Sequence, residues 1–154
     1  MLVSLETGIA VAVGLAAAAE DLTRRTISNW LPLTALAGGV LCQCLEKGWK
    51  GAAVAGAGAA SGFGVFLLFY LLGGMGGGDV KLMAGFGALL GYSRLPEAAF
   101  WTALTGGLLA VVAMSVASLR ARFWKAEGEQ RRPAAIPYAP AIVAGVWITL
   151  LSQP

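Results

Sequence analysis

Histidine is absent from this 154-residue sequence, and charged side chains are scarce. Without histidine, serine–histidine and cysteine–histidine nucleophile pairs and any histidine-ligated metal site are excluded. Charged residues make up 12% of the chain, whereas an average soluble domain has about 25%. A soluble protein of this size needs a charged surface, so the sequence predicts that the lipid bilayer is the solvent.

Cysteine is also rare, with Cys42 and Cys44 standing close together at the end of an apolar run. Two thiols cannot complete a four-ligand zinc site, and their spacing is not the redox spacing C-x-x-C. We interpret both as small buried apolar residues; a redox or lipidation role is the alternative. The basic residues form no patch with interleaved aromatics, so no nucleic acid partner is predicted. The sequence predicts no metal and no cofactor.

Long apolar segments dominate what is present, since hydrophobic residues make up 58% of the chain. A helix needs about 20 apolar residues to cross a bilayer. We predict an all-α integral membrane protein, a bundle of about six transmembrane helices that forms one membrane-embedded domain over residues 1–154. The predicted segments are 2–19, 30–45, 51–72, 81–91, 97–119 and 136–151.

Two of these segments allow more than one interpretation. The first has alanines that resemble a cleavage site, but it lacks the positive n-region of a signal peptide, so we interpret it as an uncleaved span. The fourth segment, residues 81–91, is short for a span. It is either a buried short helix or part of a broken one. Trp30, at the edge of the second segment, is a predicted interfacial anchor.

The distribution of basic residues predicts the orientation. With the N-terminus outside the cytoplasm, eight of the eleven Lys and Arg residues fall in cytoplasmic loops, as the positive-inside rule requires. This prediction depends on six crossings. The eight residues are Arg24, Arg25, Lys81, Arg120, Arg122, Lys125, Arg131 and Arg132. Those after residue 119 form the predicted basic loop.

Two of the eight acidic residues stand out by their surroundings. Most of the others, Glu6 included, are placed in loops or near helix ends. Asp21 ends the first apolar segment, and Asp79 ends the glycine-rich run G-G-M-G-G-G-D. They are 58 residues apart with two predicted spans between them, so both return to the same side of the membrane. There the two carboxylates could meet inside a helix bundle.

A close pair of carboxyl groups suits peptide hydrolysis. Repulsion between like charges keeps one ionised and the other protonated. One then activates water as a general base, and the other donates a proton. The glycine-rich run is not expected to be helical, because each glycine costs about 1 kcal/mol relative to alanine. It would leave room for an extended substrate backbone. Lys81 is either a topological charge or an electrostatic partner of the pair; we favour the former.

Three segments of the chain resemble the type IV prepilin peptidase family of G-x-G-D aspartic proteases. Residues 76–82 match the motif G-x-G-D-x-K-[LM]; the matching positions include Gly76, Gly77, Gly78, Asp79 and Lys81. Residues 21–30 resemble the first-aspartate motif D-x-x-x-R-x-I-P-N, through Asp21, Arg25, Ile27 and Asn29, with Ser28 in place of proline. Residues 136–140 resemble a third segment, I-P-[YF]-[AG]-P, with Pro137 and Pro140. Gly145 follows it.

The resemblance implies an enzyme that cleaves the basic leader of prepilins at the cytoplasmic face of a bacterial inner membrane. It implies that Asp21 and Asp79 are the catalytic pair. Larger members of the family carry a cytoplasmic domain with paired C-x-x-C motifs and N-methylate the new terminus. No such insert separates the first two spans here, so the resemblance implies peptidase activity without N-methylation. This build is similar to the peptidases of tight-adherence (Flp-type) pilus systems; archaeal preflagellin peptidases are related. The expected partners are a prepilin-like substrate and the bilayer. The sequence predicts no oligomeric state.

Two other classes of function remain open from the residues. In a small channel or transporter, the two aspartates would bind a cation and the glycine-rich run would act as a filter. The third motif, residues 136–140, argues against this interpretation, since ion binding does not require it. In a non-catalytic subunit of a pilus or secretion assembly, Asp79→Asn would leave function intact. Presenilin-like proteases share G-x-G-D, but they are larger and have a different first-aspartate motif.

Overall fold

The computed structural model describes residues 2–123 and 137–152, and within these ranges every regular element is an α-helix. The prediction of an all-α fold is therefore confirmed for the described residues. Ile136 and most of the predicted basic loop lie outside them. The helices are α1 (Leu2–Arg24), α2 (Trp30–Lys47), α3 (Trp49–Leu71), α4 (Gly77–Leu90), α5 (Leu95–Phe123) and α6 (Ala139–Leu151).

Within the described residues, two helical stretches are long and apolar enough to cross a membrane, Trp49–Leu71 and Leu95–Leu119. Helix α1 runs beyond the predicted segment 2–19, because its last turn is polar but still helical. It ends where Arg25 adopts a left-handed conformation (φ 53°). The Arg25 N–H closes the helix on the Asp21 carbonyl at 3.0 Å. The reversal sends the chain back across the end of the bundle. Trp30, 74% exposed, begins α2.

Helix α4 lies at the centre of the bundle. It packs chiefly against α2 and α3, and more lightly against α1 and α6. Most of its residues are buried, so the segment 81–91 is a buried short helix, one of the two interpretations offered above. Glycines let its backbone touch that of α3. A Cβ on Gly58 would overlap the Gly87 carbonyl, and one on Gly87 would overlap the Gly58 carbonyl.

Helices α5 and α6 form a second packed pair, and α6 also contacts α1. A Cβ on Gly145 would overlap Thr102 of α5, so these two helices approach closely there. On its other side, α6 is tied to α1 by the Trp147 indole N–H, which donates to the Ala10 carbonyl at 3.2 Å. Helix α6 therefore links α5 to α1, which carries Asp21.

Glu6 lies near the start of α1, as predicted, but it is buried and paired. Its side chain is 3% exposed, and the Arg94 guanidinium donates to its carboxylate at 3.1 Å. Arg94 lies between α4 and α5, so the ion pair joins distant parts of the chain. Gln43 of α2 lies at this end of the bundle too, donating to the Leu89 carbonyl at 3.0 Å. The ion pair was not predicted because Arg94 is 88 residues away in sequence. Cys42 is buried and Cys44 half-buried, largely as predicted.

Candidate active site

Asp21 lies in the last turn of α1 and is 8% exposed. Its Oδ2 accepts the backbone N–H of Ala139 at 3.0 Å in a buried hydrogen bond. Ala139 is the first residue of α6, where helical N–H groups have no partner within the helix. A helix N-terminus carries partial positive charge, which favours a carboxylate beside it. The carboxylate of α1 and the start of α6 therefore satisfy each other.

Asp79 lies in the first turn of α4 and is 6% exposed. Its Oδ2 accepts the N–H of Gly76, the residue that precedes the helix, at 3.0 Å. This is the carboxylate half of a capping box. Neither aspartate forms an ion pair with a Lys or Arg among the residues whose side chains are described. Among the described residues, the hydrogen-bond donors to both carboxylates are backbone amides.

The glycine-rich run between α3 and α4 divides into two parts, which corrects the prediction that all of it is irregular. Gly73 adopts a left-handed conformation (φ 77°) and, with Gly74, closes α3 in a Schellman motif. Gly77 and Gly78 are the first two residues of α4. Helix N-termini leave their N–H groups free, so glycine loses little there. A Cβ on Gly78 would meet the Ile27 side chain at 3.2 Å.

Asp21 and Asp79 lie at the same end of the bundle, close enough for the charge of one to act on the other. The pKa of Asp79 is raised to about 6, chiefly because burial disfavours its charged form. The hydrogen bond from Gly76 acts in the opposite direction, and the charge of Asp21 raises the pKa further. Asp79 precedes the apolar part of α4 and lies outside both candidate spans. A carboxyl group titrating near neutral pH is typical of a general acid or base.

Further contacts join the first and second motifs. The Lys81 ammonium donates to the Asn29 side-chain carbonyl at 2.9 Å, on the exposed rim of the site. Lys81 thus contacts the first motif and forms no ion pair with either aspartate. Arg25 is exposed at the turn that follows α1. Together with the contact of Ile27 with Gly78, these positions bring the two sequence motifs side by side.

Ser28 has a partner that sequence reasoning missed. Its N–H and hydroxyl donate to the two carboxylate oxygens of Glu20, at 2.7 Å and 2.9 Å. These hydrogen bonds lower the pKa of the exposed Glu20, with the backbone bond contributing most. Proline, the usual residue of the first motif, could make neither bond. An acidic residue eight positions before Ser28 was the available signal.

The third motif supplies the start of α6. Pro137 is half-buried, Tyr138 precedes the helix, and Pro140 occupies its second position. Proline suits the first turn of a helix because no N–H is needed there. The sequence analysis identified this segment as the third motif but did not predict the Ala139 amide as the partner of Asp21. No sequence signal distinguishes that amide from its neighbours.

The arrangement offers two buried carboxyl groups at one end of the bundle, and the pKa of Asp79 is raised. Among the residues that the structure describes, no group of three or more Cys, Asp or Glu side chains could hold a metal ion. Direct proton transfer between the carboxyl pair and a bound water is the chemistry that these groups support.

A family model described as the type IV leader peptidase family matches residues 8–111 of this chain. The match covers more than half of the chain and includes Asp21 and Asp79. The chain belongs to the type IV leader peptidase family.

One curated relative is similar to the chain over part of its length. The prepilin leader peptidase/N-methyltransferase of Bacillus subtilis (strain 168) is 38% identical over 90 residues, which are 57% of this chain. The aligned region covers 32% of that relative, so the chain matches about a third of its length. No solved structure matches the chain.

Proposed function

We propose that this protein is a membrane-embedded aspartic endopeptidase that removes the N-terminal leader of type IV (Flp-like) prepilins. The observation that carries this proposal is the pair of buried carboxyl groups, Asp21 and Asp79, held by backbone amides at one end of the bundle. Family membership supports leader cleavage as the reaction. Residues 1–154 act as one peptidase domain.

The proposed reaction needs one proton on the pair. The raised pKa of Asp79 supports placing that proton on Asp79 at rest. Asp21 then removes a proton from water, whose oxygen bonds to the scissile carbonyl carbon while Asp79 donates its proton to the carbonyl oxygen. When the C–N bond breaks, the proton held by Asp21 passes to the leaving amine, and one hydroxyl of the intermediate returns its proton to Asp79 as the C=O bond re-forms. No cofactor takes part in these steps.

The remaining motif residues receive supporting roles. Gly76, Gly77 and Gly78 present backbone without side chains beside Asp79, where an extended substrate segment can approach. Lys81 and Asn29 join the two motifs at the rim.

Arg25 and Ile27 shape the turn after α1, and Pro137 and Pro140 shape the start of α6.

We further propose that the helices form a multi-pass bundle in the bacterial inner membrane. The two long apolar helices support membrane insertion. The N-terminus lies outside, and the aspartates face the cytoplasm, where the leader of a prepilin is accessible. Only residues 25–29 connect α1 and α2, so no domain interrupts the chain there. This short connection supports cleavage without N-methylation.

The test is leader cleavage in membranes that contain a candidate prepilin from the same operon. Wild type should shorten the prepilin, and Asp21→Asn and Asp79→Asn should not. Glu46→Gln changes an exposed carboxylate near the far end of α2 and serves as the matched control, with activity close to wild type. A chelator should leave cleavage unchanged.

Other outcomes would contradict the proposal. An uncut prepilin beside folded wild-type protein would favour the ion channel or transporter, which ion flux in vesicles would then reveal. Pilus assembly that survives Asp79→Asn would favour a non-catalytic assembly subunit. Substantial cleavage by either single variant would refute the shared proton. A methyl group on the new N-terminus, found by mass spectrometry, would refute the absence of N-methylation.

A further inference from the structure

Helix α5 contacts the first turn of α6 next to the proposed catalytic pair. The Thr105 hydroxyl of α5 is within hydrogen-bond distance of the Ala141 carbonyl of α6, at 3.1 Å. One residue further along α5, Gly106 faces the ring of Tyr138. Gly106 belongs to none of the three sequence motifs. A glycine inside a long helix costs about 1 kcal/mol relative to alanine, and at Gly106 the contact with Tyr138 supplies a reason for it.

The ring of Tyr138 occupies the space that a side chain at Gly106 would need. A Cβ on Gly106 would lie 2.7 Å from Tyr138 Cε1 and 3.3 Å from Cζ. The neighbouring Gly107 differs, because a Cβ there would meet none of the described residues within 4 Å. The two glycines lie on the same helix and share the same propensity cost. Only the first is required by its surroundings.

The contact leads directly to Asp21. Tyr138 is the residue before α6, and the next residue, Ala139, donates its N–H to Asp21 Oδ2 at 3.0 Å. Consecutive residues share a peptide plane, so a displacement of the Tyr138 backbone also moves the Ala139 amide. A shift of about 1 Å takes a hydrogen bond of this length outside the usual range.

We propose that Gly106 is a positioning residue, which seats the Tyr138 ring on α5 and thereby places the Ala139 amide on the carboxylate of Asp21. Gly106 acts through Tyr138 and Ala139, since the atoms nearest to a Cβ at this position belong to Tyr138. The importance of this placement for catalysis rests on the proposed function. The placement itself does not, and it has a readout that needs no activity.

The first experiment observes the Ala139 amide alone by NMR in detergent micelles. The chain has three tyrosines, followed by Leu71, Ser93 and Ala139. Protein labelled with ¹³C at tyrosine carbonyls and ¹⁵N at alanine amides therefore gives one carbonyl-correlated signal, that of Ala139. Asp21→Ala removes the acceptor and gives the position of the unbonded amide.

We expect Gly106→Ala to move the Ala139 signal toward its position in Asp21→Ala. Gly107→Ala should leave the signal where it is in the wild type. An unchanged signal in a folded Gly106→Ala variant would overturn the proposal, because the ring would then have moved without the amide. Equal shifts in Gly106→Ala and Gly107→Ala would overturn it as well.

A second pair of variants covers the case in which Gly106→Ala does not fold. Tyr138→Ser removes the ring and keeps a residue suited to precede a helix. The natural chain has no serine before an alanine, so labelled serine carbonyls again isolate the Ala139 amide. In this background Gly106→Ala should fold and leave the signal unchanged. Failure to fold there would show that the ring is not the reason for the glycine.

Cleavage kinetics then test the link to catalysis. Misplacing a catalytic group by about 1 Å can cost up to about 100-fold in rate. We expect kcat of Gly106→Ala to fall about 10- to 100-fold with little change in KM, and that of Gly107→Ala to stay within about twofold. The double variant Gly106→Ala/Tyr138→Ser should match Tyr138→Ser alone. A rise in KM alone would contradict a positioning role.

The two experiments separate this proposal from the proposed function. If the NMR shifts appear but wild type cleaves no prepilin, the placement of the Ala139 amide stands and the peptidase assignment fails. If wild type cleaves and the amide does not move in Gly106→Ala, the peptidase assignment stands and the positioning role fails.

Discussion

Glu6 and Asp21 lie on the same helix, about 22 Å apart at 1.5 Å per residue, and both carboxylates are buried. Glu6 is neutralised by the Arg94 guanidinium. Asp21 is held by a backbone amide, and its neighbour Asp79 by another. A cation fixes the charge of its partner and supports folding. An amide dipole stabilises a carboxylate without adding a full charge, an environment that suits the proton exchange that the proposed function requires of the aspartates.

The largest expected difference between the two ends is in cleavage rate. Asp21→Asn and Asp79→Asn should each lower the rate about 10²- to 10⁴-fold, because general acid–base catalysis is lost. Glu6→Gln should leave the rate of the folded enzyme within about threefold, since Glu6 lies far from the reacting atoms. Initial rates normalised to folded protein measure both. A loss of rate in Glu6→Gln as large as that in the aspartate variants would contradict the view that only the aspartates take part in catalysis.

Breaking the Arg94–Glu6 ion pair, at the opposite end of α1 from Asp21, should lower stability instead of the cleavage rate. Arg94→Gln leaves the buried Glu6 carboxylate without its cation and should lower the free energy of unfolding by about 2 kcal/mol, less than for a fully buried pair because Arg94 is half-buried. Unfolding in mixed micelles measures it, and Lys50→Gln on the exposed surface is the control. The double variant Glu6→Gln/Arg94→Gln should recover part of the loss. No recovery would contradict the charge-pair explanation.

Asp79 should show the opposite behaviour, a gain in stability when its charge is removed. The pKa of Asp79 is raised in the folded protein to about 6. Its contribution to stability is therefore complete below the unfolded pKa near 3.8 and is lost as pH rises through about 6. Asp79→Asn cannot ionise and should be more stable than wild type by about 2 kcal/mol at pH 8.

Unfolding of both proteins between pH 4 and about pH 8 tests this linkage. The difference in unfolding free energy between Asp79→Asn and wild type should grow from pH 4 to about pH 6 and then level off. Cleavage by wild type should fall as pH rises above the pKa of Asp79, because the pair loses its shared proton. A stability difference independent of pH would contradict the burial argument.

The smallest effect is expected at the exposed rim, where Ser28 bonds Glu20. The pKa of Glu20 is lowered by these hydrogen bonds, so their contribution is present above pH 4.5 and is lost as pH falls through the lowered pKa. Ser28→Ala should lower the melting temperature slightly at pH 7 and less at low pH. Cleavage should change less than threefold, since exposed bonds contribute little. Thr26→Ala, at an exposed position of the same turn, is the control.

The sequence singled out Asp21 and Asp79 because the signal is local. Each aspartate follows a distinctive run of residues, and two predicted segments between them return the chain to the same side. The helical character of the fold followed from apolar composition for the same reason. The roles of Asp21 and Asp79 in catalysis stay predictions until the variants are assayed.

What the sequence did not predict depends on contacts between distant segments. The Arg94–Glu6 ion pair joins residues 88 positions apart, and the Ala139–Asp21 bond joins residues 118 apart. Backbone amides leave no mark in the sequence at all. The glycine-rich run was predicted to be irregular throughout, but its last two glycines are helical, because composition does not reveal where α3 ends and α4 begins.

The shortness of α4 has a consequence for how the protein is made. Fourteen residues of helix extend about 21 Å, well under the roughly 30 Å of a hydrocarbon core, and α4 begins with Asp79 and Lys81 in its first turns. Such a segment is poorly suited to enter a bilayer alone, so we expect it to insert only against α2 and α3. Asp79 should then reach its place at the Asp21 end of the bundle only when α4 packs between α2 and α3.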